Sequence, residues 1–383
     1  MPNESIRFVV AMDSFKGCLS STSAGEAVAS GIRDCFPEAD ITVLPMADGG
    51  EGTAQAITQA SGGTTVSAPA VDPLGRPITA HYGISPDGAT AYIDMAAASG
   101  LTMLRPSERN PLLTGTFGTG LLMADALSRG CCNIMLGLGG SSTHDGAIGC
   151  LAALGLDFFD SVGRIIERPC GKDLALIRKV AATPRLADFK ERCRRLYLAC
   201  DVNVPLCGHD GAAYIFAPQK GASPEVVASL DAGMESFSDL TLKATGHNMR
   251  SFTGAAGGLG AGLCAWLDGK IEDGVALVLS AVGFGKCING AALAVTGEGR
   301  SDSQTLLGKV PAGVYREAAA KGVPSIIISG QVEKPQQFID FGFKAAIASS
   351  PAGLPLSEAM KPETAKVNLR RAAKEIVKKL LAK

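Results

Sequence analysis

The sequence predicts an α/β fold built on parallel β-sheets, and three observations support this prediction. The 383-residue chain contains 47 glycines and is 46% hydrophobic but only 5% aromatic, and small residues suit closely packed layers of helix and sheet. The N-terminal segment alternates strand, loop, helix, strand and loop. The same alternation returns after Leu293. The length is typical of two domains.

The N-terminal elements carry two polar loops. An apolar run over 6–11 predicts a buried strand, which is followed by a loop over 13–17. Ser23 and Glu26 have the spacing of a capping box at the start of a helix. Residues 41–44 predict a second strand, and residues 45–53 form a second loop rich in glycine and carboxylates. In a parallel sheet both loops lie at the carboxyl ends of strands, where ligands bind.

The later part of the chain predicts further strands and helices. A helix begins after Ser223, because a capping serine followed by Pro224 is typical of a helix start. The other predicted strands are 91–95, 196–199, 293–296, Ser325–Ser329 and 344–348, and the other predicted helices are 118–129, Ile148–Leu154, one from Ala312 and 362–382.

Charge and cysteine content exclude several classes of protein. The formal net charge is −1 and the pI is about 6.4, which argues against nucleic acid or an anionic membrane as a partner. No segment reaches the ~18 consecutive apolar residues of a membrane span. The eleven cysteines include no C-x-x-C pair, which is typical of reduced thiols. We therefore expect a cytoplasmic enzyme.

The segment from Gly137 to Gly149, GLGGSSTHDGAIG, is the most informative part of the sequence. Glycine permits positive φ angles and close approach of a ligand to the backbone. Successive N–H groups in such a turn can form an anion-binding nest. A tight turn from strand to helix without a ligand explains the same residues, so both interpretations stay open on this segment alone.

Charged side chains accompany glycine in several predicted loops: Asp13 and Lys16; Asp48 and Glu51; Arg300 and Asp302; and Asp201. Phosphoryl transfer needs cations, carboxylates that hold Mg²⁺ and an acceptor for the substrate proton. The phosphate-binding motif G-x-x-x-x-G-K-[ST] and the dinucleotide motif G-x-G-x-x-G with a downstream acidic partner are absent. The sequence therefore predicts magnesium-dependent chemistry on an anion.

At these loops the chain resembles the bacterial glycerate kinase family, type I, whose members phosphorylate D-glycerate. The resemblance extends along essentially the whole chain. The blocks that carry it are DSFKG (13–17), PMADGGEGT (45–53), DPLG (72–75), GGSSTHDGAIG (139–149), PQKGA (218–222), AAGGLG (255–260) and TGEGRSDSQTLLGKVP (296–311).

The resemblance implies two α/β domains with the active site in the cleft between them. A Rossmann-like parallel sheet would come from 1–80 plus 291–383, and an inserted α/β domain from 81–290. The implied substrates are ATP and D-glycerate, with Mg²⁺, and the favoured product is 2-phosphoglycerate rather than the 3-isomer. We expect no nucleic-acid or membrane partner. Both a monomer and a homo-oligomer are compatible with the sequence.

The expected site residues are charged or hydroxyl residues of the predicted loops, together with the glycines of the glycine-rich loop, each assigned to a need of that reaction. Lys16 and Arg300 would hold the negative charges of glycerate and the γ-phosphate. Asp201 would be the general base, partly desolvated at the end of its strand. The expected substrate-binding residues are Asp13, Ser14, Asp48, Glu51 and Asp302, of which Asp48 and Asp302 are also the expected metal ligands. The expected nucleotide-binding residues are Gly139, Gly140, Ser141, Ser142, Thr143 and Asp145.

His144 departs from the family pattern, which has asparagine there. We expect this histidine to donate a hydrogen bond at the helix start and to titrate near pH 6.5. Asn203 also departs from the pattern, which weakens a role for it. Three other functions are compatible with parts of the sequence: a non-catalytic protein that binds hydroxy acids, a dehydrogenase, and a hydrolase using Ser141 or Ser142 with His144 and Asp145.

Overall fold

The computed structural model describes residues 6–47, 49–50 and 52–381. Its strands are β1 (Arg7–Met12), β2 (Asp40–Pro45), β3 (Thr64–Val71), β4 (Pro77–Ile84), β5 (Thr90–Asp94), β6 (Asn133–Gly137), β7 (Leu156–Phe159), β8 (Lys179–Ala182), β9 (Arg195–Ala199), β10 (Lys270–Glu272), β11 (Leu293–Gly297), β12 (Arg300–Ser301), β13 (Ser325–Ser329), β14 (Gln331–Val332) and β15 (Ala345–Ala348). Its helices are α1 (Ser21–Arg33), α2 (Thr53–Ser61), α3 (Ala96–Ser99), α4 (Phe117–Ser128), α5 (Ile148–Leu154), α6 (Pro184–Arg192), α7 (Ala212–Phe216), α8 (Pro224–Thr245), α9 (Leu259–Leu267), α10 (Gly274–Ala281), α11 (Phe284–Cys287), α12 (Val310–Ala320), α13 (Pro335–Phe341), α14 (Leu356–Ala359) and α15 (Pro362–Leu381). The predicted α/β class is confirmed.

The chain forms two compact units. The first comprises Met1–Asp48, Gln59–Ser61 and Val275–Lys383, and the second comprises Gly49–Thr58 and Gly62–Gly274. The division at 80 and 290 that the sequence suggested stays a prediction of the domain limits.

A five-stranded sheet in the order β15-β13-β11-β1-β2 lies at the centre of the first unit. All of its strand pairs are parallel. Its apolar side chains pack with those of α1 and α15 in one hydrophobic cluster, which includes Phe8, Val28, Val295, Ile328 and Leu369. Strands buried in this way read as continuous apolar runs, which is why the sequence located them within one or two residues. The loops after β1 and β11 lie side by side at the carboxyl edge.

The start of α1 differs from the prediction. The helix begins at Ser21, and Ser20, in an extended conformation, is its N-cap. The Ser20 Oγ accepts a hydrogen bond from the Ser23 backbone N–H at 3.2 Å. The prediction of a cap at Ser23 was wrong because Ser20 is the capping residue and accepts from the N–H of Ser23 itself, so Ser23 lies within the first turn.

A six-stranded mixed sheet in the order β10-β9-β6-β5-β4-β3 forms the core of the second unit. Strands β10, β9, β6 and β5 pair in parallel, whereas β3, β4 and β5 pair antiparallel. The hairpin β3–β4 has no counterpart among the strands predicted from the sequence. Its turn is the DPLG block, in which Asp72 Oδ1 accepts hydrogen bonds from the N–H groups of Leu74 and Arg76, both at 2.9 Å.

Helices α4, α5 and α9 supply side chains to the core beside this sheet, among them Leu122, Leu151 and Leu263, all fully buried. The predicted helix Ile148–Leu154 is confirmed. The predicted start of α8 is also confirmed, since Ser223 Oγ accepts a hydrogen bond from the Val226 N–H at 3.4 Å. Within the described part of the chain, none of the helices combines the length and the apolar character needed to span a bilayer.

Candidate active site

The glycine-rich loop leaves β6 at Gly137 and reaches α5 at Ile148. It lies against a second glycine-rich segment that precedes α2. A Cβ on Gly139 would stand 2.4 Å from the Gly50 Cα, so the backbones approach too closely for any side chain there. Gly140 has a φ of +76°, which glycine adopts without strain. Glycine at 139 and 140 therefore shapes the loop.

Three successive backbone N–H groups of this loop are available to bind an anion. Those of Gly139, Gly140 and Ser141 have no acceptor among the described residues, and all three residues are at least partly exposed. Ser142, in contrast, is buried and donates from both its N–H and its Oγ to the Ser99 carbonyl, each at 3.0 Å. The accessible part of the predicted phosphate-binding segment is therefore 139–141.

The buried side chain of Asp145 stabilises the conformation of the glycine-rich loop. Its carboxylate accepts hydrogen bonds from Thr116 N–H and Thr116 Oγ1, both at 2.8 Å, and from the N–H groups of Ala147 and Gly149, both at 3.3 Å. Burial raises the pKa of the Asp145 carboxyl, and these hydrogen bonds oppose that rise. All four contacts are internal, so they give Asp145 a structural role; nucleotide binding by Asp145 stays a prediction.

Lys220 is a functional candidate to which the sequence analysis gave no role. Its side chain is only 2% exposed, and its Nζ donates to Ser141 Oγ at 2.8 Å and to the Thr143 carbonyl at 2.7 Å. A cation thus lies beneath the accessible N–H groups of the loop. The PQKGA block contains this residue, but a lysine in a predicted turn is usually solvated, so nothing local indicated its burial.

Burial lowers the pKa of Lys220 from 10.5 to about 7, with a smaller opposing contribution from the negative charge of Asp145. The unfolded chain therefore binds one more proton than the folded chain between these two values. The free energy of unfolding gains a contribution that increases as pH rises through this interval. We expect Lys220→Met to flatten the pH dependence between pH 7 and 10, as measured by urea unfolding. A curve parallel to that of the wild type would contradict the lowered pKa.

The surroundings of His144 differ from those expected in two respects. The ring is fully buried, and within the described residues neither Nδ1 nor Nε2 has a hydrogen-bond partner. Burial, followed by the charge of Lys220, lowers the pKa of His144 to about 3. The expected hydrogen bond at the helix start and the expected titration near pH 6.5 were therefore both wrong. The ring has no solvent contact, which is the physical reason for both errors.

Gly257, in the AAGGLG block, packs directly on the loop. It has a φ of +63°, and a Cβ there would stand 2.2 Å from the Thr143 carbonyl oxygen. Gly246 has a similar φ of +78° with nothing within 4 Å. We expect Gly246→Ala to cost about 1–2 kcal/mol of stability from backbone strain alone, and Gly257→Ala about 1–3 kcal/mol more from overpacking. Urea unfolding of both variants measures the difference, and equal losses would contradict the close approach.

Asp201 follows β9 at the same sheet edge as the loop after β6. Its Oδ1 accepts a hydrogen bond from the Gly274 N–H at 2.8 Å. The residue is exposed, so the expected partial desolvation was wrong: the strand ends at Ala199, two residues earlier. The role of Asp201 as a general base stays a prediction. At the end of β5, two strands away from β9, Asp94 accepts hydrogen bonds from the N–H groups of Gly52 and Ala54 at 2.9 and 3.0 Å.

In the first unit, the structure brings Asp13, Ser14 and Lys16 together with the loop after β11. The Asp13 N–H donates to the Gly297 carbonyl at 2.9 Å. The Asp13 side chain is buried and accepts a hydrogen bond from the Ser14 N–H at 2.6 Å. Lys16 is exposed. The predicted substrate-binding role of these residues stays a prediction.

Glu298 is a second buried charged residue that has no role among the sequence-based predictions. It is 6% exposed and accepts hydrogen bonds from Ser301 Oγ at 3.2 Å and Thr305 Oγ1 at 2.5 Å. Lys309 Nζ lies 3.9 Å from its other oxygen. Burial raises the pKa of this carboxyl, although the hydrogen bond from Thr305 and the Lys309 charge oppose the rise. Through these contacts the buried Glu298 side chain links three later residues of the TGEGRSDSQTLLGKVP block.

The remaining predicted residues differ in their surroundings. Arg300 is exposed and forms an ion pair with Glu333. Asp302 is the N-cap of the 3₁₀ turn Ser303–Leu307, where its Oδ1 accepts from the Gln304 N–H at 2.9 Å. Asp48 and Glu51 lie outside the described residues. The described residues contain no group of three or more histidine, cysteine or acidic side chains placed to hold a metal.

Comparison with known proteins gives consistent matches along the chain. The model of the Glycerate kinase family matches residues 8–381. The glycerate kinase of Bacillus subtilis is 40% identical over 374 residues, 97% of each chain, and the glycerate 2-kinase of Escherichia coli is 40% identical over 331 residues, 85% of this chain and 86% of that one. A crystal structure of a protein assigned as glycerate kinase 2 from Salmonella typhimurium LT2 superimposes with a TM-score of 0.89 at 36% identity, covering 99% of both chains.

Proposed function

The chain belongs to the glycerate kinase family and is a kinase that phosphorylates glycerate, and from this premise we propose that it transfers the γ-phosphoryl group of ATP to the 2-hydroxyl of D-glycerate. The 2-position is supported by the 40% identity to the Escherichia coli glycerate 2-kinase. Transfer to the 3-hydroxyl is the alternative, and identification of the product decides between the two.

The observation that carries the assignment of the nucleotide site is the set of accessible N–H groups at Gly139, Gly140 and Ser141. Consecutive N–H groups in a turn with a left-handed residue form a nest that binds phosphate oxygens. The Lys220 ammonium, bonded to Ser141 Oγ and the Thr143 carbonyl, keeps these groups in place and adds positive charge. We assign the nucleotide phosphates to this segment.

Asp201 is assigned as the general base. The substrate hydroxyl oxygen forms a bond to the γ-phosphorus while the bond from that phosphorus to the bridging oxygen of ADP breaks. The hydroxyl proton passes to a carboxylate oxygen of Asp201. The hydrogen bond from the Gly274 N–H to Oδ1 helps to orient the carboxylate that would accept the proton.

Lys16 and Arg300 are assigned to the negative charges of glycerate and of the transferred group. A guanidinium suits this task because its planar donors match two oxygens of a carboxylate or phosphate at once. Arg300 is paired with Glu333 at the surface, so an anion that binds Arg300 competes with, or shares, that ion pair. Asp13 and Ser14 are assigned to the substrate hydroxyls.

Magnesium is the proposed metal ion. Mg²⁺ typically takes one or two carboxylates together with phosphate oxygens and water, so its binding does not need a cluster of three protein ligands. Asp48 and Asp302 would hold the ion. When bound, Mg²⁺ neutralises charge on the phosphate oxygens.

The proposed reaction is tested with purified protein, ATP, MgCl₂ and D-glycerate. Release of ADP measures turnover, and coupling to enolase, which accepts 2-phosphoglycerate, identifies the product position. We expect turnover that depends on Mg²⁺ and is coupled directly to enolase, with L-glycerate as the stereochemical control. A product that enolase accepts only after addition of phosphoglycerate mutase would be 3-phosphoglycerate and would contradict the proposed position.

A further inference from the structure

A cavity of about 320 Å³ lies in the second unit at the amino ends of β9 and β10. It is lined by the end of α6, the start of β9, the end of α9 and the start of β10. Its charged lining residues are Lys190, Arg194, Arg195, Asp268 and Lys270. Four cations and one carboxylate around one concavity give a strongly positive surface.

In the described part of the chain, none of these four cations has a salt-bridge partner. Within the described residues, Lys190, Arg194, Arg195 and Lys270 form no ion pair, although Arg192, on the preceding helix, pairs with Asp188 at 3.3 Å. Cations that share a cavity repel one another, and the single carboxylate in the lining, Asp268, can balance only one of the four positive charges. A bound anion would relieve it. The unbalanced charge is therefore an observation that points to a ligand.

The cavity is separate from the candidate active site. Strands β6, β9 and β10 run parallel, so their carboxyl ends share one edge of the sheet, and the glycine-rich loop and Asp201 follow that edge. The cavity lies at the opposite edge, where Lys270 pairs with Tyr197. The five residues of β9 span about 16 Å at ~3.3 Å per residue. The lining residues therefore take no part in the reaction assigned above.

We propose that this cavity is a binding site for a small phosphorylated anion. Two arginines within one cavity suit phosphate, because each guanidinium can donate two parallel hydrogen bonds to its oxygens. The volume lies at the lower end of the range for small-molecule pockets, which favours a compact ligand. Inorganic phosphate and a phosphate monoester of a short carboxylic acid share this chemistry.

Trp266 provides a local reporter. It is the only tryptophan of the sequence, it is buried, and it directly precedes Leu267, which lines the cavity. Tryptophan fluorescence during titration with inorganic phosphate, or separately with 2-phosphoglycerate, distinguishes the two sources. Equilibrium dialysis with radiolabelled phosphate measures binding independently of the fluorescence signal. Potassium chloride at matched ionic strength is the control for screening.

The test variant is Arg194→Glu with Lys270→Glu. The matched control, Lys378→Glu with Lys379→Glu, makes the same charge change at two exposed residues of α15. In dialysis we expect saturable binding to the wild type and the control with the same Kd, and a Kd at least about tenfold weaker in the cavity variant. The glycerate kinase activity of both variants should stay within twofold of the wild type, so the outcome is independent of the proposed reaction.

Equal phosphate binding by the cavity variant and the control would overturn the proposal, as would the absence of saturable binding to the wild type in dialysis. Fluorescence changes reproduced in full by potassium chloride would also count against it. Thermal unfolding of both variants verifies that each is folded before binding is compared.

Discussion

Asp201→Asn is expected to lower kcat by about 10²–10⁴-fold, the usual cost of losing a general base, with little change in the KM for ATP. The substitution isolates proton transfer because the asparagine Oδ1 can still accept the hydrogen bond that the Gly274 N–H donates to Asp201. The loop conformation and the fold should therefore be preserved. Steady-state kinetics, varying ATP and D-glycerate in turn, measure both parameters.

Asp210→Asn is the matched control, since Asp210 is likewise exposed in the second unit. It should leave kcat unchanged. Near-wild-type turnover by Asp201→Asn would show that Asp201 has a structural role, such as anchoring the Gly274 N–H, and no catalytic one. A rise in KM with unchanged kcat would indicate a binding role instead.

Lys220→Met is expected to reduce kcat/KM for ATP by about 10²–10³-fold, the range seen when one donor of a charge-stabilising site is removed. The variant removes the ammonium that holds Ser141 Oγ and the Thr143 carbonyl but fills the same buried volume. The variant loses the two hydrogen bonds of the ammonium, but it also avoids the free-energy cost of burying a cation. Because these two effects oppose each other, its free energy of unfolding should be close to that of the wild type.

A pH profile separates this role from simple packing. The pKa of Lys220 is about 7, so the protonated form is lost as pH rises through that value. The wild type should show a descending limb in kcat/KM above about pH 7 that Lys220→Met lacks. Lys243→Met, on the exposed face of α8, should match the wild type throughout. A full descending limb in Lys220→Met would assign the titration to another group.

Buried parallel strands and strong helix signals made much of the fold predictable. Strand Ser325–Ser329 and helix Ile148–Leu154 lie where the apolar patterns indicated. The β3–β4 hairpin was missed because its exposed, irregular pattern lacks a long apolar run, and its turn is organised by the Asp72 side chain rather than by a glycine pair. The predicted start of α1 lay three residues too late, because Ser20 and Ser23 are both suitable N-cap residues and the sequence alone does not distinguish them.

The candidate site was less predictable than the fold. Glycine content marked the loop, but the sequence could not distinguish the accessible residues 139–141 from the buried Ser142 and Asp145. That distinction depends on tertiary contacts, such as the one from Ser142 to the Ser99 carbonyl. Lys220 was left without a role for the same reason, because it is buried against Ser141 and Thr143, which are distant in sequence. Glu298 was also left without a role, because a glutamate in a glycine-rich loop is usually solvated. His144 likewise appeared titratable until its complete burial was known.

A crystal structure of the protein with ADP and Mg²⁺ tests the central claim most directly, which is that the loop after β6 binds the nucleotide phosphates. The account predicts phosphate oxygens within hydrogen-bond distance of the backbone N–H groups of Gly139, Gly140 and Ser141, with Lys220 still bonded beneath them. A nucleotide whose phosphates lie away from this loop, while those N–H groups contact only water, would contradict it.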